Sequence, residues 1–153
     1  MALAPLIPVP QGLLEIVKPI IQLRLAESNL EKRSSVENVF EKLVAGYKNH
    51  DKAVYVDSVD DPKHCLILGL YEAIVSDERT AAVHLIWSHP SVRGDIAYVR
   101  LMMETTVFYA KAHEAVAILG SSWIYGGAES TNAIWERFGF VPQANMYVKL
   151  LKD

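Results

Sequence analysis

The sequence is organised around nine residues, His89-Pro90-Ser91-Val92-Arg93-Gly94-Asp95-Ile96-Ala97. An alternating, apolar-rich run from Thr80 to Trp87 leads into them, and a long amphipathic pattern follows them. A strand that breaks at a Pro-Arg-Gly turn and feeds a helix exposes unpaired backbone N–H groups at the helix N-terminus. Together with the helix dipole, these donors favour negative charge. We therefore expect a phosphate-bearing ligand at this turn.

Two more strands are predicted before the turn. The runs Ala53–Ser58 and Cys65–Ile74 are rich in β-branched and apolar residues, and short polar turns at 60–63 and 76–79 connect them to each other and to the run Ala81–Trp87. Short connections rich in Asp, Ser and Pro are typical of hairpins. These three strands therefore predict an antiparallel meander.

The amino-terminal part of the chain is unusually apolar. Prolines within residues 1–10 leave this segment an extended arm or an edge strand. Gln11–Ser28 reads as a helix, and Pro19 inside it predicts a kink or a division into two shorter helices. Because this helix is apolar round much of its girth, it is either buried or a surface for self-association or an assembly partner. A second helix is predicted from a capping box formed by Ser34 and Glu37, and it ends near Asn49.

The pattern after the turn predicts a third helix, a strand and a short fourth helix. One face of the third helix carries an apolar and aromatic stripe typical of core packing. The run Ala115–Trp123 has the look of a buried parallel strand. Ser130 is the predicted cap of a helix through Arg137, and Gly139 its left-handed stop; one or two strands follow within Phe140–Leu151. The third-helix stripe consists of Tyr98, Leu101, Met102, Thr105, Phe108, Tyr109 and Ala112.

Length and composition bound the function. A chain of 153 residues predicts one domain spanning 1–153, and 51% hydrophobic with 22% charged residues is typical of globular proteins. The net charge of −3 argues against a nucleic-acid partner. Cys65 is the only cysteine, so it predicts a small buried side chain and fits a reducing, cytoplasmic location. No apolar run is long enough to predict a membrane span, and the first ten residues do not read as a signal peptide.

The element order, the motif HPSVRG before the third helix and AIWERFGF near the end together resemble the GNAT superfamily of acetyl-CoA-dependent N-acetyltransferases. The resemblance implies an α+β fold with a mixed, mostly antiparallel sheet, helices on both faces and an acyl-CoA cleft between the fourth and fifth strands. It also implies acetyl-CoA as co-substrate and an amine of a small molecule or a protein as acceptor. Backbone groups of Ile86, Trp87 and Ser88 would pair with the pantetheine arm. The pyrophosphate would lie on the residues Arg93, Gly94, Asp95, Ile96, Ala97 and Tyr98.

Two positions depart from the family pattern. In the family's Arg/Gln-x-x-Gly-x-Gly/Ala loop, Ile96 and Tyr98 stand where small residues belong, and Asp95 adds a carboxylate. Asp is also a preferred N-cap, so Asp95 either fills the anion site by capping the helix or belongs to an altered cradle. Trp135 stands where many members have a Tyr that protonates the leaving thiolate, and Tyr125 or Tyr147 could replace it.

The candidate general base is His84 on the fourth strand, whose ordinary pKa suits proton transfer near neutral pH. Simple alternation places it on the opposite face from Val83, Leu85 and Trp87, and a solvated histidine on a polar strand face is the competing interpretation. Glu72 and Glu129 are weaker candidates. His50, His64 and His113 lie near turns or helix ends and are expected to be solvated.

Other chemistries have less support. The sequence contains no paired histidine or cysteine spacing typical of zinc sites, so no metal is expected, and it contains no Walker loop or nucleophile elbow. Two hypotheses stay open. The chain is an acetyl-CoA-dependent N-acyltransferase, or it is a GNAT-fold protein without catalysis that serves as a structural or binding subunit, for instance of a phage virion.

Overall fold

A single sheet holds the five strands of the computed structural model. In chain order they are β1 (Ile7–Pro8), β2 (Lys52–Val56), β3 (His64–Glu72), β4 (Arg79–Ser88) and β5 (Ala117–Leu119), and the same order runs across the sheet. The first four pair antiparallel, whereas β5 is parallel to β4. The structure describes residues 3–27, 34–72, 77–120, 128–142, 149 and 151. The predicted mixed, mostly antiparallel sheet is confirmed, and residues 1–10 do supply an edge strand.

Helices cover both faces of this sheet, as predicted. Side chains alternate along a strand, so Cys65 and Ile67 face one way and Leu66 and Leu68 the other. Cys65 and Ile67 belong to a core cluster with helices α1 (Lys18–Glu27) and α2 (Val36–Lys48). The opposite face packs against α3 (Ile96–Ala112), which contacts β3 and β4. Cys65 is fully buried, which confirms the prediction for this residue, and burial raises its pKa to about 12.

The apolar amino-terminal segment forms part of this core. A 3₁₀ helix (Gln11–Val17) leads directly into α1, and Pro19 is the second residue of α1. Proline is tolerated there because the first helical N–H groups have no partner within the helix. The predicted division at Pro19 is therefore confirmed. Leu14, Val17, Ile20 and Ile21 are buried in the chain's own core; the apolar side chains left exposed on this segment are Leu3, Ile7, Leu13 and Leu23.

The second helix begins one residue later than predicted. Ser35, not Ser34, is the N-cap of α2, and its hydroxyl accepts a hydrogen bond from Asn38 N–H at 3.1 Å. Glu37 lies in the first turn, where its charge suits the helix dipole. The predicted pairing of Ser34 with Glu37 is therefore wrong by one position, because two consecutive serines offer equivalent caps to a sequence pattern.

The buried face of α3 is rotated from the predicted stripe. Phe108 is 72% exposed, although the stripe included it. Met102 and Tyr109 are buried as predicted. Met103, Thr106 and Ala110 complete the buried face, and the Thr106 hydroxyl donates to Met102 O within the helix. An apolar residue at the right spacing was thus mistaken for a core position, because a helix with apolar residues on several sides does not define one face by itself.

The chain divides into two compact units, residues 1–121 and 122–153, each described here by itself. In the first, the parallel direction of β5 is as predicted, but Leu119 is 54% exposed rather than buried. In the second, α4 (Ala128–Arg137) begins two residues before Ser130, so that residue is not its cap. Gly139 has a φ of +86°, as expected for a left-handed stop. Tyr125, Tyr147, most of the predicted final strands and the side chain of Glu129 lie outside the described residues, and the single domain stays a prediction.

Candidate active site

The turn after β4 has the conformation that its sequence predicted. Ser88 ends the strand, and a short 3₁₀ turn (Pro90–Val92) follows, anchored by the His89 N–H, which donates to Lys63 O at 2.7 Å. Gly94 has a φ of +92°, in the region that favours glycine, and a Cβ at this position would meet nothing within 4 Å. The loop therefore leaves open space beside its backbone at the entry to α3.

Asp95 is the N-cap of α3. Its Oδ1 accepts a hydrogen bond from the Ala97 N–H at 3.1 Å. The carboxylate thus satisfies one of the donors that an anion would otherwise contact, and its charge lies at the positive end of the helix dipole. Of the two predicted roles, the structure shows the cap. The loop residues from Arg93 to Ala97 are exposed and Tyr98 is half-buried.

Arg93 ties the loop to two other elements. Its Nε donates to Ser88 O at 3.0 Å, which holds the loop against the end of β4. Its Nη2 contacts both carboxylate oxygens of Glu27, the last residue of α1, at 2.6 Å each. The Glu27 side chain is only 27% exposed. Contacts this short between ionised groups are typical of charge-assisted hydrogen bonds.

His64 is buried beneath the loop, and the prediction that it is solvated is wrong. It is 2% exposed, its ring stacks on Tyr98 with centroids 3.9 Å apart, and its Nδ1 forms a 2.8 Å hydrogen bond with Ser88 Oγ. Burial lowers its pKa, although Asp57 and Asp95 oppose the shift. His64 therefore joins β3, the end of β4 and the first turn of α3 as a neutral ring. His50, by contrast, is exposed as expected, and His113 is half-buried.

His84 occupies a β-bulge in β4. Ile67 pairs with Leu85 and Leu68 pairs with Val83, so His84 is the extra residue with no partner in β3. A methyl group added at Gly69 would overlap its imidazole, which shows that the ring lies over Gly69, on the face that carries Ile67. Simple alternation had placed His84 opposite Leu85. That prediction is wrong, because the inserted residue of a bulge breaks the two-residue period. His84 and Leu85 therefore lie on the same face of the sheet.

The surroundings of His84 keep its imidazole neutral. The side chain is exposed at its edge, but partial burial lowers its pKa, and the charge of Lys52 lowers it further. Tyr71 meets the ring edge-on with centroids 5.8 Å apart, and Lys52 Nζ lies 5.6 Å from the centre of the Tyr71 ring. A neutral imidazole can accept a proton, which is the property that a general base requires. Glu72, the weaker candidate, pairs with Arg79 at 3.3 Å.

One edge of β4 fits an extended ligand arm. β5 pairs only with Thr80, Ala81 and Ala82, and no described residue pairs with the part of β4 from Val83 to Ser88 on that side. Alternate peptide groups of a strand point to each neighbour, so this edge offers the N–H and C=O of Ile86 and the N–H of Ser88, whose C=O accepts from Arg93 Nε. Trp87 lies between these two residues, so its backbone groups point to β3, and its side chain is buried in the core with α1 and α2. The strand edge therefore fits a pantetheine arm, while the loop fits a diphosphate less well, because Asp95 and Glu27 already engage its donors.

Sequence reasoning missed three contributors to this site. Glu27, Lys52 and Gly69 carry no local motif, and the structure brings each one close to a predicted site residue from a distant part of the chain. The described residues include no group of His, Cys, Asp and Glu side chains that could hold a metal ion. None of the described helices is long and apolar enough to cross a membrane.

Comparison with known proteins identifies the fold. No family model and no curated protein matches the sequence. Among solved structures, the chain is similar to a predicted acetyltransferase from Clostridium acetobutylicum solved with acetyl-CoA, at 10% identity and a TM-score of 0.78, over 95% of this chain and 94% of that one. It is also similar to a ribosomal-protein-alanine N-acetyltransferase from Brucella melitensis biovar Abortus, at 15% identity and a TM-score of 0.71, over 97% of this chain and 100% of that one. A GCN5-related N-acetyltransferase from Ralstonia eutropha matches at 13% identity and a TM-score of 0.72, over 96% of this chain and 98% of that one.

These similarities confirm the resemblance at the level of fold. The chain has the fold of the GCN5-related N-acetyltransferases along nearly its whole length.

Proposed function

We propose that the protein is an acetyl-CoA-dependent N-acetyltransferase, which transfers an acetyl group to an amine of a small molecule or a protein. The observation that carries the proposal is the architecture of β4. One strand presents a bulged, neutral histidine, an edge that no described residue pairs with and, at its end, a glycine turn into a helix N-terminus. The Clostridium acetobutylicum protein of the same fold was solved with acetyl-CoA, which supports the same co-substrate here.

In this proposal the residues of β4 divide the work. The outward-facing backbone groups of Ile86 and Ser88 bind the pantetheine arm, while those of Trp87 face β3, and the loop from Arg93 to Tyr98 holds the diphosphate. Acetyl-CoA supplies the thioester that the amine attacks directly. His84 takes the proton from the amine, since its lowered pKa keeps the ring neutral at pH 7. Backbone N–H groups of β4 stabilise the negative charge that develops on the carbonyl oxygen.

The candidate proton donors for the departing thiolate, Tyr125 and Tyr147, lie outside the described residues. Trp135 occupies the position of the family's tyrosine, and an indole N–H is not a usable acid. Its ring is buried against Phe140, with centroids 4.9 Å apart, as expected of a packing residue. Tyr125 or Tyr147 therefore stays the candidate acid.

A second function is favoured by the loop itself. Asp95 caps α3 and Glu27 engages Arg93, so the structure satisfies part of the anion site with its own carboxylates. A GNAT-fold subunit without catalysis would have this property. The alternative is therefore a structural or binding component of a larger assembly, for example a virion, which uses the exposed apolar residues of the amino-terminal segment for self-association or a partner. The enzyme would act in the cytoplasm.

Thermal unfolding with and without acetyl-CoA separates the two functions. A ligand at about 100 times its dissociation constant adds about 2.7 kcal/mol, which for a domain of this size raises Tm by roughly 5–11 °C. Gly94→Glu should abolish this shift, because it places a carboxylate beside the diphosphate. Gly139→Glu is the matched control, since Gly139 also has a positive φ, of +86°, and open space around it. No shift at millimolar acetyl-CoA would exclude the enzyme and leave the subunit.

A further inference from the structure

The β4–α3 loop carries one strong cation, and the protein already neutralises it. Arg93 is the only Lys or Arg from His89 to Val99. Its guanidinium holds both carboxylate oxygens of Glu27, which approaches from the end of α1, 66 residues away in sequence. Because Nε is bonded to Ser88 O, the guanidinium is fixed at the strand end and meets Glu27 there.

Three further charged or titratable groups lie in or beside the loop. Asp95 adds a carboxylate at the helix N-terminus. His64 lies beneath the loop, but burial lowers its pKa and keeps it neutral near pH 7. Lys63, which precedes it, contacts Asp61 at 3.5 Å. Arg93, Glu27 and Asp95 together therefore carry a net charge of about −1, and Arg100, which is exposed further along α3, is the next cation in the sequence. The groups of the loop and its Glu27 contact thus oppose an approaching diphosphate.

We propose that Glu27 determines donor specificity by competing with the donor's phosphate groups for Arg93. The inference rests on the proposed function. An anionic donor that contacts the guanidinium meets the Glu27 carboxylate on the same group, and it must either displace that carboxylate from Nη2 or tolerate its repulsion, so part of the binding free energy is lost. A donor with the same thioester arm but no phosphates does not contact Arg93, so its binding free energy is not reduced by Glu27. Glu27 thus lowers the ratio between the affinity of the site for acetyl-CoA and its affinity for uncharged acetyl thioesters.

Calorimetric titration with two donors tests this inference. Acetyl-CoA and S-acetylpantetheine share the arm and the thioester, but only acetyl-CoA has phosphates. We expect Glu27→Gln to bind acetyl-CoA about fivefold more tightly than wild type, the range of a partly exposed ion pair. Its affinity for S-acetylpantetheine should not change. In an Arg93→Gln background, the same Glu27→Gln change should give no gain, because the contested group is absent.

Glu15→Gln is the matched control. Glu15 is an exposed acid that pairs with Lys18 near the start of α1, so its removal changes the net charge equally without touching the loop. Glu15→Gln should leave both affinities at the wild-type values, and Tm values should show that all variants fold. The inference is overturned if Glu27→Gln binds acetyl-CoA no better than wild type, if both donors gain equally, or if the gain persists without Arg93. If neither wild type nor any variant binds either donor, the proposed function itself is wrong.

Discussion

An alanine at position 69 tests whether the position of His84 matters for chemistry. Gly69 lies opposite Lys52 in the β2–β3 ladder, and the His84 imidazole occupies the space where a side chain would stand. An added Cβ would overlap Nε2 and would lie 2.8 Å from Cδ2 and 3.1 Å from Lys52 Nζ. Since contacts are comfortable only beyond about 3.5 Å and Nε2 is the closest atom, the ring must retreat by more than roughly 1 Å.

The expected effect is large on catalysis and small on folding. A misplacement of about 1 Å at a reacting group costs on the order of 10²-fold in rate, and a general base contributes roughly 10²–10⁴-fold. We therefore expect Gly69→Ala to lower kcat by about 10- to 100-fold. The free energy of unfolding should change by less than about 1.5 kcal/mol, because the exposed ring can move to another rotamer.

The pH dependence of kcat/KM is the measurement that identifies the cause. Burial and Lys52 together lower the pKa of His84 in the wild type. A ring pushed away from Lys52 and into water regains a pKa nearer to 6.5, so the acid limb of the profile should move to higher pH. Gly12→Ala is the control, since its Cβ would meet no atom within 4 Å. A wild-type kcat in Gly69→Ala, or a loss of rate with an unchanged profile, would refute the assignment of His84 as base.

Two further predictions concern the loop. Burial lowers the pKa of His64, so the unfolded chain binds more protons below pH 6.5, and the free energy of unfolding should fall as the pH drops below that value. Urea titrations between pH 7.5 and 5 should show this dependence of the unfolding free energy on pH. His64→Phe, which can still stack on Tyr98, should reduce it. An unchanged dependence in His64→Phe would contradict the assignment of the effect to His64. Asp95→Ala should lower the free energy of unfolding by about 1 kcal/mol through loss of the cap, while Asp95→Ser should keep most of the stability; equal losses in both variants, measured by thermal unfolding, would contradict the capping role.

The order and direction of the described elements could be predicted from the sequence because each signal is local. Period-two and helical patterns, Pro19 and Gly139 depend on neighbours within one or two turns of chain, and the structure follows them. Errors of one residue arose where two neighbours offered the same chemistry, as at the cap of α2. The exposed Phe108 was misplaced because burial on a largely apolar helix depends on what packs against it, which the helix sequence does not contain.

The site was less predictable because its contacts are long-range. His64 follows Pro62 in a turn pattern, and its burial comes with contacts to other elements, among them the stacked ring of Tyr98 and the Ser88 hydroxyl. The bulge at His84 has no signature in an alternating run, yet it reverses the side-chain parity that alternation predicts. Glu27 lay in an apolar helix with nothing to connect it to Arg93. The residues of the loop could be identified from the sequence, whereas the residues that contact them could be identified only from the structure.

The two halves of the site are mechanically separate along β4, and this separation can be measured. His84 and Ser88 are four residues apart on one strand, roughly 13 Å at the usual rise. His84 is positioned by Gly69 and Lys52, while the loop is positioned by Glu27 and His64. Because no residue belongs to both sets, Gly69→Ala should change kcat and leave donor affinity unaltered, whereas Glu27→Gln should change donor affinity and leave kcat unaltered. A double variant should therefore show the two effects independently.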